Sequence, residues 1–241
     1  MWRNFLALAR SVEASLPPTL VKLPLPVTSD EIAWTEAWLG ARLDRRRGPL
    51  VAFHIGGAPR AAFKIWPLER FVALGERLRG AVGDLTIILT GAAADRPLID
   101  EFERDFSEPV VDASGLGGLQ RTAALLRRCD LLVSNDTGIM RLGAAMGTPT
   151  VGLFGATHAD HWAPVGTRAT YVRRTTVPCS PCSNVYEKTT PRACFNPQVS
   201  QCMWNITVDA VMGAARAVAS GGWLPPEVEE PPAIQLPSPS V

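Results

Sequence analysis

From Leu50 onward the chain alternates short apolar runs with longer amphipathic stretches. The apolar runs are LVAFHIG, LTIILTG, PVVDAS, DLLVSN and TVGLFG. Between them lie LERFVALGERLRG, ADRPLIDEFERDF, LQRTAALLRRC and GIMRLGAAMG, and VDAVMGAARAVAS comes late in the chain. The short runs are continuously apolar, which predicts strands covered on both faces. The longer stretches repeat apolar residues at helical spacing. Together they predict an α/β fold, a Rossmann-like parallel sheet with helices on both faces and right-handed crossovers.

The flanks read differently. Residues 1–47 form a lead-in or linker with one helix, opened by the capping-box spacing Thr28-Ser29-Asp30-Glu31 ahead of EIAWTEAWLGARL. Trp34 and Trp38, four residues apart on one face of that helix, are packing residues. Residues 48–222 make the Rossmann-like domain. The stretch 223–241 is a proline-rich tail, poor in core residues.

A length of 241 residues and 46% hydrophobic content suit one large globular domain. A net charge of +1 gives no field for steering toward nucleic acid or an anionic membrane. Arg45-Arg46-Arg47 is the one compact basic run, expected in a solvated linker, with peripheral lipid contact as the lesser reading. No apolar run approaches the roughly 20 residues that span a bilayer. MWRNFLALAR has too short an apolar stretch for a signal peptide. The expectation is a cytoplasmic protein with reduced cysteines.

In a parallel sheet of this kind, ligands meet the junctions where strands end and helices begin. Four junctions carry candidate chemistry. After the first strand, HIGGAPRAAFKIWP combines Gly56 and Gly57, which allow close backbone approach, with Lys64, whose ammonium can reach a phosphate. A plain glycine turn with a surface lysine remains the alternative. After the second strand, Asp95 stands where an acid can accept from ribose hydroxyls, or where it caps a helix beside Pro97. The third junction, Asp136-Thr137-Gly138, opens a helix whose free amides and dipole favour a pyrophosphate. A well-capped helix is its other reading. The fourth, LFGATHADHWAPVG, brings Gly155 and Thr157 to the end of a strand, followed by the loop histidines His158 and His161.

The order and spacing of these junctions resemble the heptosyltransferases of glycosyltransferase family 9. The resemblance covers roughly residues 20–220 and is most specific over 134–166. It implies one half of a GT-B fold, the carboxyl-terminal half that binds the nucleotide sugar, typically ADP-heptose, with no cofactor required for catalysis. By resemblance, Lys64 contacts phosphate or the transferring sugar, Asp95 takes the ribose, and Asp136, Thr137 and Gly138 meet sugar and pyrophosphate. Gly56, Gly57, Gly155 and Thr157 complete the expected donor site. Arg141 stands where the family pattern has a histidine, and with Lys64 it is expected to stabilise the leaving diphosphate.

The acceptor-binding half, which in that family supplies the general base, is not recognised in these residues. The resemblance therefore implies the donor-binding part of an inverting transferase for a lipopolysaccharide-type or other glycan acceptor, at the inner face of the cytoplasmic membrane. Its partner would be a separate acceptor domain, and nucleic acid is not an expected partner. The alternative is a non-catalytic nucleotide-sugar-binding module.

Cys179, Cys182, Cys194 and Cys202 form C-x2-C-x11-C-x7-C. The opening pair has zinc-ligand spacing, which leaves a structural zinc open beside the reading of simply buried thiols. Cysteine-rich loops of this kind also accompany the family resemblance.

Overall fold

The computed structural model describes residues 26–43, 48–174, 176–183, 191, 193–219 and 221–225. The arginine run 45–47 and nearly all of the proline-rich tail lie outside them. The described residues form one six-stranded parallel sheet. Its strands are β1 (Leu50–His54), β2 (Thr86–Gly91), β3 (Val111–Ser114), β4 (Leu131–Asn135), β5 (Thr150–Phe154) and β6 (Ala169–Arg173). Their spatial order is β3-β2-β1-β4-β5-β6, with every neighbouring pair parallel.

The continuous apolar runs are explained by two cores, one on each face of the sheet. Val51, Phe53, Ile87, Leu89, Leu131 and Val133 point to one core. Leu50, Ala52, Ile88 and Leu132, the intervening residues, point to the other. The first core is closed by α2 (Leu68–Val82), α3 (Arg96–Asp105) and α8 (Val208–Val218), through Phe71, Leu74, Phe102, Val211 and Met212. The second is closed by α1 (Ser29–Gly40), α4 (Leu119–Arg128) and α5 (Gly138–Met146), through Leu39, Ala123, Leu126 and Leu142. Two short helices, α6 (Ala159–Trp162) and α7 (Gln201–Trp204), lie in the later connections.

The N-cap half of the capping box forms: the Glu31 amide donates to Thr28 Oγ1 at 3.3 Å. Helix α1 is docked on the sheet's helical layer. Glu31 pairs with Arg121 of α4 at 3.0 Å, and the Arg121 guanidinium lies 4.1 Å from the Trp34 ring centroid. Trp34 and Trp38 stack with centroids 6.2 Å apart. The helix of the lead-in is thus packed into the same body as the sheet.

Strand β6, ATYVR, was absent from the predicted runs. It is an edge strand in which Val172 alone is buried and Tyr171 is 40% exposed. An edge strand with one covered position leaves almost no apolar signature.

Candidate functional site

The strand order reverses direction between β1 and β4: β2 and β3 build outward from one, β5 and β6 from the other. At such a switch point the loops leave in opposite directions and a crevice opens beyond the carboxyl ends of the strands. Here it is a cleft of about 790 Å³. Its walls are the loop after β1 with Gly57 and Lys64, the turn after β2 with Asp95, the loop after β3 with Leu116 and Leu119, and the start of α5 from Asp136 to Ile139. Gly115, Gly117 and Gly118 shape the third wall with φ of 68°, 85° and 138°, values that side-chain-bearing residues rarely adopt.

Asn135, the last residue of β4 and 1% exposed, fastens the two sides of the switch point. Its Nδ2 donates to the carbonyls of Ile55 at 3.0 Å and Gly56 at 3.2 Å. Its Oδ1 accepts from the Trp66 amide at 2.9 Å. Trp66 is fully buried, and its indole N–H donates to the Ile206 carbonyl at 2.9 Å. Both ends of the loop that carries Lys64 are therefore pinned. Sequence reasoning had no role for Asn135; the available signal was a polar side chain closing a strand that is otherwise almost wholly apolar.

Asp136 is a hub. Its carboxylate accepts from Thr157 Oγ1 at 2.6 Å and from Arg141 Nη2 at 2.9 Å, and Lys64 Nζ lies at 3.8 Å. Asp136 is thus held between two cations, of which Lys64 lines the cleft and Arg141 stands behind it. The Thr137 side chain makes no capping bond, so the first-turn amides of α5 stay open toward it. The capped-helix alternative for Asp-Thr-Gly is not what forms.

Arg141 is fully engaged. Besides Asp136, it donates to the carbonyls of Thr137 at 3.1 Å and Trp162 at 3.0 Å, and stands 5.0 Å from the Trp162 ring centroid. It braces the floor of the site and is not among the residues lining the cleft. Thr157 and Gly155 are also outside that lining. Thr157 reaches the site through Asp136. Gly155 faces inward: a Cβ there would lie 2.6 Å from Met203 Sδ and 2.7 Å from Cys202 Sγ.

Asp95 lines the cleft, and its Oδ2 accepts from the Ala92 amide at 2.8 Å. The carboxylate rests on the bare face of Gly56, where a Cβ would come within 2.4 Å of it. Gly56 is therefore needed for Asp95, not for direct contact with a ligand. Beside it stands His54, 7% exposed, also on the cleft wall. Its Nδ1 lies 3.1 Å from both the carbonyl and the Oγ1 of Thr90. Burial pushes the imidazole below its ordinary pKa, against the opposing pull of Asp95 and the Thr90 bond. Sequence analysis quoted His54 only as part of a strand run.

Cys179, Cys182, Cys194 and Cys202 are free thiols gathered into one region. Burial first, then neighbouring cysteines, pushes Cys182 upward and Cys202 to about 11. Cys194 Sγ accepts from the Ser200 amide at 3.3 Å, and Cys179 Sγ from the Asn196 amide group at 3.6 Å. The donor set suits zinc chemically. Among the described residues, however, no three His, Cys, Asp or Glu side chains are arranged as a metal-holding group. The segment is stitched to the residues that follow β5: Ser183 pairs with Thr157, and Ser180 Oγ donates to the Gly155 carbonyl at 2.6 Å. Among the described residues no helix is long and apolar enough to cross a membrane.

Comparison with known proteins agrees with this geometry. The model of glycosyltransferase family 9 (heptosyltransferase) matches residues 1–192. Lipooligosaccharide heptosyltransferase 2 of Haemophilus ducreyi is 29% identical over 185 residues, covering 72% of this chain and 52% of that protein. Among solved structures, Escherichia coli ADP-heptose LPS heptosyltransferase II superposes with a TM-score of 0.65 at 23% identity, over 84% of this chain and 55% of that one. A family 9 glycosyltransferase from Veillonella parvula gives 0.67 at 20% identity, with the same coverage of 84% and 55%. These structural likenesses speak to the fold. The chain spans about half the length of these relatives.

Proposed function

Since the chain belongs to glycosyltransferase family 9, we propose that its switch-point cleft binds the diphosphate of a nucleotide sugar, of the ADP-heptose kind, as the donor-binding part of an inverting transferase. The observation that carries this reading is the uncapped start of α5, which borders the cleft together with Lys64. An anion fits there because free first-turn amides and the helix dipole favour it. Lys64 is the cation on the cleft wall, 22% exposed and paired with Asp136 at 3.8 Å, so it turns from Asp136 to a phosphate oxygen when the ligand arrives. Arg141 acts one step removed, by fixing Asp136 and the Thr137 carbonyl. The apolar wall of Leu116, Leu119 and Ile139 receives the flat nucleobase. Asp95 accepts from the ribose.

When the sugar departs to its acceptor, charge builds on the diphosphate, and the same groups stabilise it. The general base that takes the acceptor's proton belongs to the acceptor half. The acceptor class follows the relatives, a lipopolysaccharide or lipooligosaccharide core met at the inner face of the cytoplasmic membrane. A non-catalytic binding module is the second reading, supported by the engagement of Arg141 within the protein.

Thermal shift with nucleotides tests the site. A one-site ligand at a hundredfold excess over its dissociation constant adds about 2.7 kcal/mol of stability. ADP is expected to stabilise more than UDP, and Lys64→Ala to weaken the response. No stabilisation by ADP overturns the donor reading. Transfer of heptose to a core acceptor, with and without a supplied acceptor domain, separates the enzyme from the binding module. The cysteine cluster carries a separate proposal, a structural zinc on Cys179, Cys182, Cys194 and Cys202; the sulfurs of Cys179 and Cys194 accept N–H bonds of the kind that surround metal thiolates. Elemental analysis checks it, and a metal-to-protein ratio near zero overturns it.

A further inference from the structure

His54 ends β1 at the rim of the sheet, in register with Thr90 of β2 and Ser134 of β4. Its hydrogen bonding fixes its tautomer. The Thr90 carbonyl can only accept, and Thr90 Oγ1 gives its own proton to the Phe53 carbonyl at 3.3 Å. Nδ1 must therefore carry the hydrogen and donate it toward Thr90. Nε2 is left with a lone pair, and among the described residues it makes no hydrogen bond. A neutral imidazole with one committed nitrogen and one open acceptor, 7% exposed and on the cleft wall, is aimed at a ligand. Among the described residues Nε2 is not one of the fully buried side-chain atoms left without a partner, so it is open on the cleft side and can accept from a ligand donor.

Asp95, another acceptor, lines the same cleft. It is seated on Gly56, two residues after His54, and is held by the Ala92 amide. Two acceptors on one wall of the cleft complement two neighbouring hydroxyl donors. We propose that His54 and Asp95 together read the vicinal diol of the donor's ribose, with His54 Nε2 accepting from one hydroxyl and Asp95 from the other. His54 is then a specificity-determining residue, separating ribonucleotides from their deoxy forms. The inference rests on the nucleotide-donor reading above and assigns one more contact within it.

Calorimetric titration with ADP, 2′-deoxy-ADP and 3′-deoxy-ADP tests it. The informative variant is His54→Asn, whose side-chain amide can keep the bond to Thr90 while deleting the Nε2 position. The wild-type protein should bind ADP roughly three- to tenfold more tightly than each deoxy form, the range of one ordinary hydrogen bond. In His54→Asn one of the two preferences should vanish and the other persist. Asp95→Asn should weaken the other, and His54→Gln, which restores an acceptor near Nε2, should recover part of the first. Wild-type protein that binds both deoxy forms as tightly as ADP overturns the diol reading even if no variant folds. Unchanged preferences in a folded His54→Asn overturn the part given to His54 and leave it a strand tie. If ADP itself fails to bind wild-type protein, the donor reading falls, and this inference with it.

Discussion

Replacing Asn135 by alanine removes one side chain and strands three buried backbone groups. The Trp66 amide loses its acceptor, and the carbonyls of Ile55 and Gly56 lose their shared donor. Ile55 and Trp66 are fully buried, but Asn135 borders the cleft, so water can enter part of the vacated space and the cost falls at its lower bound. An unsatisfied buried backbone group costs about 1–3 kcal/mol. Taking the lower bound, three such groups come to about 3 kcal/mol. For a chain of this size, each kcal/mol lowers the melting temperature by about 2–4 °C, so the expected fall is roughly 6–12 °C. Equilibrium urea unfolding measures the free energy directly, and an unchanged m-value confirms that the loss lies in the native state. Asn135→Asp sharpens the test. It keeps an oxygen for Trp66 but turns a carboxylate toward two carbonyls, so it should destabilise at least as much. A loss below about 1 kcal/mol for both variants would show that the clamp is not what joins the loop after β1 to β4. The same variants should weaken ADP binding, because that loop carries Lys64.

Further outcomes follow from packing and protonation. Gly143→Ala places a Cβ 2.4 Å from Leu132 Cδ2, and Leu132 is fully buried, so overpacking should cost about 1–3 kcal/mol, whereas Gly138→Ala meets nothing within 4 Å and should melt near wild type; equal effects in urea unfolding would refute the contrast. Burial holds the folded-state pKa of His54 below 6.5, so as pH falls from 7 toward 5 the unfolded chain binds a proton that the folded chain refuses. Stability should drop over that window with a slope approaching about 1.4 kcal/mol per pH unit from this group, and His54→Asn should remove that component. A wild-type-to-variant difference independent of pH would contradict it. Burial pushes the Cys129 thiol up to about 12, so at pH 8 a thiol reagent should spare it in the native protein and label it once the chain is unfolded in urea.

Elements with a strong apolar period were legible in the sequence. The strands around Phe53, Ile88 and Leu132 face helices on both sides, and so left continuous apolar runs with sharp polar ends. The helix at Ser29–Gly40 announced itself through its cap. The edge strand Ala169–Arg173 did not, because one face is open and a single side chain is buried. At the site, residue type and junction position picked out Lys64, Asp95 and Asp136, all of which border the cleft. Hydrogen-bond partners were not readable. Arg141 looked like a cation for phosphate until its contacts with Asp136, Thr137 and Trp162 were visible. Gly155 looked like a ligand-facing glycine, but its face is filled by Cys202 and Met203. Asn135 and His54 act through partners 36 to 80 residues away, a relation that no local pattern encodes.

One carboxylate, Asp136, holds Lys64, Arg141 and Thr157 at once. Changes at these positions cannot be scored one at a time, since removing any member re-aims the rest. Exchanging Arg141 for histidine gives up a guanidinium fork that spans Asp136 and two carbonyls, and no imidazole reproduces that reach. Libraries that vary these sites jointly are therefore expected to find solutions that single-site scans discard.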